Sequence, residues 1–205
     1  MAAKSEEEES VVDEDKKDDQ LSISIHDFQK FETQLAKLNP WGLCVVITGT
    51  RSSGKTHLLK YLLSLLRPLR EIDAVFLISS TAGEQFDNTA YDYIPPQFMY
   101  KSLTKLSDIL DKQRDVVKHN KSLEKFLLDV KDTDMTRSPK FIESKVTVII
   151  DDFYGQNVRG TSAITEICTH GRHLSYVHPK TKRTLVRTDL FFLSQDLTQV
   201  SGWDL

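Results

Sequence analysis

A short apolar segment that runs directly into a glycine-bounded loop constrains the fold of this chain more than any other feature. Residues 45–48 read Val-Val-Ile-Thr, and residues 49–56 read Gly-Thr-Arg-Ser-Ser-Gly-Lys-Thr, the G-x-x-x-x-G-K-T pattern of a P-loop or Walker A motif. Gly49 and Gly54 have no Cβ, so the loop can curl until several backbone N–H groups point at one phosphate. The pattern therefore predicts a strand, a phosphate-binding loop and a helix in succession.

Each residue type in the loop has a predicted role. Lys55 is expected to reach the β- and γ-phosphates of a nucleotide, and the Thr56 hydroxyl is expected to bind Mg²⁺. The predicted nucleotide-binding residues are Gly49, Thr50, Arg51, Ser52, Ser53, Gly54, Lys55 and Thr56. The alternative is a Gly-Ser turn that binds no ligand, and the residues on either side of the loop argue against it.

The flanking segments have the character that a P-loop requires. Residues 43–47 lack polar alternation and predict a fully buried strand. After the loop, leucines recur at helical spacing, at positions 58, 59, 62, 63 and 66. The predicted helix opens at Lys55 with its N-terminus toward the anion and ends near Arg67-Pro68.

A second apolar segment, residues 146–150, ends in two carboxylates and is typical of a Walker B strand. Asp151 is predicted to bind Mg²⁺, directly or through water, and Asp152 to orient or deprotonate the attacking water. An apolar run followed by Asp-Asp is weak evidence alone, because many strands end in an acidic turn. Its position after a P-loop favours the metal site.

Two further residues have open interpretations. A strand at 190–193 ends in Ser194-Gln195, and Gln195 is either a sensor of the γ-phosphate or a polar residue that closes a strand. Arg172 is either a finger that stabilises transition-state charge in a neighbouring subunit or a surface arginine, and spacing alone favours the surface arginine. The nearby histidines have no supporting Cys or carboxylate pattern, so zinc is not expected.

The remaining elements complete an alternating pattern. Residues 26–38 predict a short amphipathic helix, 74–78 a second buried strand, and 103–117 a longer amphipathic helix. Residues 82–100 read as irregular and 118–140 as a charged linker. Together these segments predict an α/β P-loop NTPase fold with a mostly parallel sheet flanked by helices.

Charge divides the chain into two unlike parts. Residues 1–20 hold nine acidic groups against three lysines, a balance of −6 within a total of −3, which leaves +3 for the rest. We therefore predict a disordered acidic tail over 1–22 and a P-loop ATPase domain over 23–205. A solvated tail is favoured over one that mimics nucleic-acid phosphate.

Neither secretion nor membrane insertion is indicated. The N-terminus is acidic and lacks an apolar core, and no segment has the length of a membrane span. Cys44 and Cys168 read as reduced core thiols of an intracellular protein.

Taken together, the motifs carry a family resemblance over about residues 42–200. The P-loop is common to many families, but an Asp-Asp Walker B strand followed by Gly-Arg-His-Leu at 171–174 and a strand ending in Gln resembles the poxvirus-type virion DNA-packaging ATPases of large DNA viruses, in the FtsK/HerA group. The resemblance implies an ATP- and Mg²⁺-dependent motor that acts on double-stranded DNA, with Lys55, Asp152, Gln195 and Arg172 as its catalytic residues and Thr56 and Asp151 at the metal. It also implies a homo-oligomeric ring, viral capsid proteins among the partners, and a location in the host cytoplasm or the virion.

Two departures from the family pattern leave alternatives open. Residues 176–189 intervene before the Gln strand and are a DNA-contacting loop, with Lys180, Lys182, Arg183 and Arg187, an unrelated hairpin, or a product of faulty gene prediction. The domain is also expected to be short at its C-terminus. A truncated, non-catalytic nucleotide-binding protein is therefore the main rival function. A GTPase-type switch is a second rival, since residues 152–155 read D-x-x-G. A small-molecule kinase is a third, but the sequence shows no evident arginine-rich lid.

Overall fold

Strands and helices alternate along the chain. A computed structural model describes residues 40–81, 91–129, 140–151 and 162–195. Its strands are β1 (Cys44–Thr48), β2 (Ala74–Ser79), β3 (Met99–Tyr100), β4 (Ser144–Asp151), β5 (Tyr176–Val177) and β6 (Thr184–Ser194). Its α-helices are α1 (Lys55–Arg70), α2 (Thr104–Asp129) and α3 (Ser162–His170), with 3₁₀ turns at Pro96–Phe98 and Gly171–Leu174. The predicted tail and the predicted helix at 26–38 lie outside the described residues.

Five strands form a parallel sheet in the order β1-β6-β4-β2-β3, and β5 pairs antiparallel with the first part of β6. This sheet, with helices on both faces, confirms the predicted fold class. Because the strands are parallel, the segments that follow β1, β4 and β6 emerge at one edge, which we call the carboxyl edge. The opposite, amino edge carries the β5–β6 hairpin.

The core lies on both faces of the sheet. Alternate residues of β6 point to opposite sides, so that Phe191 packs with the leucines of α1 while Phe192 packs with the apolar residues of α2 and α3. Both phenylalanine rings are fully buried. Burial on two faces explains why β1, β4 and β6 read as continuous apolar runs.

The helices run further than the sequence pattern predicts. α1 continues past Pro68 to Arg70, whose buried side chain donates to Asp189 and holds the last turn against the sheet. α2 continues to Asp129, so the predicted linker at 118–140 is wrong over its first half. Buried Asn120 explains this extension, since its side chain bonds both the N–H (2.9 Å) and the C=O (2.8 Å) of Ile142.

The segment at 176–189 contains the β5–β6 hairpin, and a hairpin is one of the three interpretations of this segment. Its turn exposes Lys180 and Lys182, whereas Arg183 pairs with Glu71 and Glu143. Arg187 is buried and donates from Nε to Asp189 at 3.0 Å. The prediction of Arg187 as a DNA contact is therefore wrong, because burial removes this side chain from any surface.

Other differences are smaller. The strand predicted at 190–193 begins earlier, at Thr184, because the charged residues of its first half are buried as ion pairs. β3 falls in the segment predicted as irregular, and two residues are too few for a periodic signal. Cys44 and Cys168 are free, half-buried thiols on β1 and α3.

Candidate functional site

The P-loop connects β1 to α1 at the carboxyl edge, and its two glycines suit its geometry for different reasons. A Cβ on Gly49 would lie 2.6 Å from Ser53 Oγ, so the Ser53 hydroxyl would have to move away. Gly54 has φ +85°, a left-handed conformation that favours glycine, and it caps α1. Ser52 also has positive φ (61°). Such a loop turns successive N–H groups toward one concave side, the arrangement that binds anions.

Lys55 is folded over this loop. Its Nζ donates to the carbonyl oxygens of Gly49 and Thr50, at 2.8 Å each. The ammonium group therefore lies among the loop atoms that would surround a phosphate. Carbonyl oxygens carry only partial negative charge, so a phosphate oxygen would be a stronger partner for the same group.

Asp151, the last residue of β4, faces the first turn of α1. It is buried, with 8% of its surface exposed, and its Oδ2 accepts a hydrogen bond from the hydroxyl of Tyr91. Burial and the neighbouring carboxylate raise the pKa of Tyr91 far above its ordinary value, so Tyr91 stays protonated and donates to Asp151.

Gln195 follows β6, which lies between the P-loop strand and the Asp151 strand. β6 pairs with β4 through contacts such as that of Val148 with Leu190. One cavity of about 330 Å³ at this edge is lined by residues of the P-loop and α1 together with Asp151 and Gln195. The structure therefore brings together three groups that are separated by up to 144 residues in the chain.

The lining residues fit a magnesium-bound nucleotide. The loop and Lys55 offer donors for phosphate oxygens, and Thr56 and Asp151 offer the oxygen ligands that Mg²⁺ prefers. Within the described ranges no group of three or more His, Cys, Asp and Glu residues is placed to hold a metal ion. A site with two oxygen ligands from the protein suits Mg²⁺, which commonly completes its shell with phosphate and water.

One predicted site residue, Arg172, lies away from this cavity. Arg172 is exposed in the 3₁₀ turn at 171–174, and this turn contacts the segment before β1: Ser175 Oγ donates to the carbonyl of Trp41 at 2.8 Å. Arg172 is thus at the amino edge, away from the cavity of its own chain, and its role in a neighbouring subunit stays a prediction. Asp152 lies outside the described residues.

The nearby histidines are divided between two places. The rings of His170 and His173 are 5.9 Å apart, whereas His178 packs against Phe141 with ring centres 4.8 Å apart. Phe141 in turn stacks on Tyr176. His178 therefore has a packing role in the hairpin.

Tyr91 is the site residue that sequence reasoning missed. It lies in the segment predicted as irregular, 35 residues after Thr56 and 60 before Asp151. The only local signal is a tyrosine followed three residues later by an apolar residue, and Ile94 N–H indeed bonds the Tyr91 carbonyl at 2.9 Å in a tight turn. Nothing in that signal points to a phosphate or a metal.

Comparisons with known proteins place the chain in a family. The sequence profile described as Poxvirus A32 protein matches residues 28–178, a range that includes the P-loop, both Walker B acids and Arg172. A search of curated proteins found no match. Among solved structures, the chain is similar to the monomer form of the pCW3 conjugation coupling protein TcpA with ATPγS, with 11% identity, a TM-score of 0.47 and coverage of 81% of this chain. The chain spans 47% of that protein's length.

No described helix combines the length and the apolar character needed to cross a membrane. The family match rests on sequence rather than on shape, and it covers well over half of the chain. The chain therefore belongs to the poxvirus A32 protein family, which confirms the resemblance drawn from its motifs.

Proposed function

We propose that this chain is the ATP-hydrolysing subunit of a motor that moves double-stranded DNA into a virus particle. The observation that carries the proposal is the convergence of the P-loop, Asp151 and Gln195 on one cavity. Membership of the poxvirus A32 family supports the viral part of the proposal. The DNA substrate rests on the resemblance of the motifs to DNA-packaging ATPases.

The residues that bind the nucleotide have distinct tasks. Lys55 exchanges its two carbonyl acceptors for oxygens of the β- and γ-phosphates, a stronger charge-assisted contact. Thr56 and Asp151 hold Mg²⁺, which when bound neutralises charge on the phosphates. The N-terminus of α1 adds its partial positive charge beneath the same anion.

Two residues are proposed to act on the attacking water. Asp152 follows Asp151 directly in the sequence, and in this proposal it orients the water or accepts its proton. Gln195 lines the cavity at the end of β6, and in this proposal it hydrogen-bonds either the γ-phosphate or that water. Gln195 thereby reports whether the phosphate has been released.

DNA binding and assembly involve the opposite edge of the sheet. Exposed Lys180 and Lys182 in the β5–β6 turn are available to DNA phosphates. Arg172 is exposed at the same edge and can serve catalysis only in the site of a neighbouring subunit. The proposal therefore includes a ring in which one chain supplies Arg172 to the next, with viral capsid proteins as further partners.

The test is ATP turnover by the purified protein with and without double-stranded DNA. The wild type is expected to hydrolyse ATP faster when DNA is present, and to prefer ATP to GTP. Lys55→Ala and Asp152→Asn should abolish turnover, whereas Gln195→Ala should lower it with nucleotide affinity retained. Lys118→Ala, which removes a lysine with 76% of its side chain exposed on α2, should change nothing.

A separate experiment tests the proposed contact with DNA. The double variant Lys180→Ala, Lys182→Ala should keep basal turnover and lose part of the stimulation by DNA, and the stimulation should weaken as salt is raised. Nucleotide binding without turnover in any condition would instead identify a non-catalytic protein. Faster turnover of GTP than of ATP would identify a GTPase-type switch.

A further inference from the structure

Tyr91 contacts the predicted magnesium site through Asp151, although it belongs to no recognised motif. Its ring is buried, with 4% of the residue exposed, and it packs in the core cluster that contains the leucines of α1. The tight turn from Tyr91 to Ile94 fixes its backbone. The ring therefore has no room to leave its position without opening the core.

The hydroxyl of Tyr91 donates a hydrogen bond to Oδ2 of Asp151, one of the two protein groups expected at the metal. Its ring packs with the leucines of α1, the helix whose first turn contains Thr56, the other expected group. Tyr91 therefore joins the end of β4 to α1, two elements that are far apart in the chain. A buried carboxylate that accepts such a bond is held in one orientation.

We propose that Tyr91 is a positioning residue of the magnesium site, which holds the carboxylate of Asp151, the predicted ligand, in one orientation. The proposal rests on the nucleotide site of the proposed function and adds to it a residue outside the Walker motifs. Hydrogen-bonding partners of metal ligands typically contribute 10- to 100-fold to metal affinity, because they hold the ligand in its binding geometry.

Tyr93 provides a matched control two residues away. Its hydroxyl is buried, but in the part of the chain that the structure describes it has no hydrogen-bond partner. Lys60 Nζ lies 5.6 Å from the centroid of the Tyr93 ring, a contact that phenylalanine would keep. Tyr91→Phe and Tyr93→Phe thus remove the same atom from neighbouring buried rings, and only the first atom contacts the site.

The experiment measures binding of a fluorescent ATP analogue in Mg²⁺ and in EDTA, so that the ratio of the two dissociation constants reports the metal alone. Binding of Mn²⁺ in the presence of the analogue, followed by electron paramagnetic resonance, provides a second readout. Tyr91→Phe is expected to lower the Mg²⁺-dependent gain in affinity by about tenfold and to leave affinity in EDTA unchanged. Tyr93→Phe is expected to match the wild type in both measurements.

A double-mutant cycle with Asp151→Asn tests whether Tyr91 acts through Asp151. If it does, Tyr91→Phe should add little in the Asp151→Asn background. The proposal is overturned by additive effects, by an equal loss of affinity in Mg²⁺ and EDTA, by a gain in Mg²⁺ dependence, or by a wild type that shows no Mg²⁺ dependence. None of these readouts requires DNA or turnover, so failure here is distinct from failure of the motor function.

Discussion

Asp189 should be the most sensitive charged position in the described part of the fold. It is 2% exposed, and it accepts hydrogen bonds from the Leu43 N–H (2.8 Å), from Arg70 Nη2 (3.0 Å) and from Arg187 Nε (3.0 Å). These contacts join the start of β1, the end of α1 and the middle of β6. The carboxylate is thus the shared counter-charge of two buried guanidinium groups.

Asp189→Asn would leave both guanidinium groups without their carboxylate. Breaking a buried ion pair by removal of one partner costs about 3 to 5 kcal/mol. Burial already lowers the pKa of Arg187, which shows how strongly its charge depends on compensation. Arg187 keeps its 2.6 Å bond to the Arg70 carbonyl, so we expect the lower end of the range, about 3 kcal/mol.

Urea unfolding followed by circular dichroism would measure this loss. Asp92→Asn is the control, because Asp92 pairs with Lys60 on the surface with 62% of its side chain exposed, and such pairs contribute at most about 1 kcal/mol. A loss for Asp189→Asn no larger than that of the control would refute the reasoning. It would mean that the two arginines find other partners once the carboxylate is gone.

Three further changes test other parts of the fold. A Cβ at position 54 would meet no atom within 4 Å, so Gly54→Ala should lower the free energy of unfolding by about 1 kcal/mol, through the left-handed backbone alone, and should weaken nucleotide binding. An unchanged free energy of unfolding in urea would contradict this. Asn120→Ala leaves the backbone groups of Ile142 unpaired and should cost about 2 kcal/mol, whereas exposed Lys121→Ala should cost almost nothing in the same assay. Lys145 and Arg183 lower the pKa of Glu71 from 4.5 to about 2, so its carboxylate stabilises the fold above pH 4.5 and this stabilisation is lost as the pH falls toward 2. The stability difference between Glu71→Gln and the wild type should therefore shrink over that interval, and a constant difference in unfolding midpoints would contradict the assignment.

The parts of the site that could be predicted are those that a few consecutive residues encode. The glycines of the P-loop suit the local conformation and close approach of atoms within the loop. The apolar runs before the loop and before Asp151 are long enough to indicate buried strands. Because the strands are parallel, their carboxyl ends meet at one edge, and the expectation that Asp151 and Gln195 would lie near the loop follows from that rule.

The parts that were missed depend on contacts between distant segments. Tyr91 reaches Asp151 across 60 residues, and no local spacing records that contact. Most residues in the second half of α2 face solvent and many are charged, so the sequence shows no apolar repeat there. The buried side of the helix continues through Asn120, which is polar and gives no hydrophobic signal. Arg187 and Asp189 read as polar residues of a loop because each alone would be costly to bury; only their pairing with Arg70 makes a strand possible there.

β6 has a mechanical consequence. Its eleven residues span about 35 Å, with β1 bonded along one side of its second half and β4 along the other side. Hydrogen bonds on both sides fix the register of β6, so the strand cannot slide along its axis without breaking them. The Gln195 end of the phosphate site and the hairpin with its exposed lysines are therefore two ends of one stiff element, and their separation is set by the sheet.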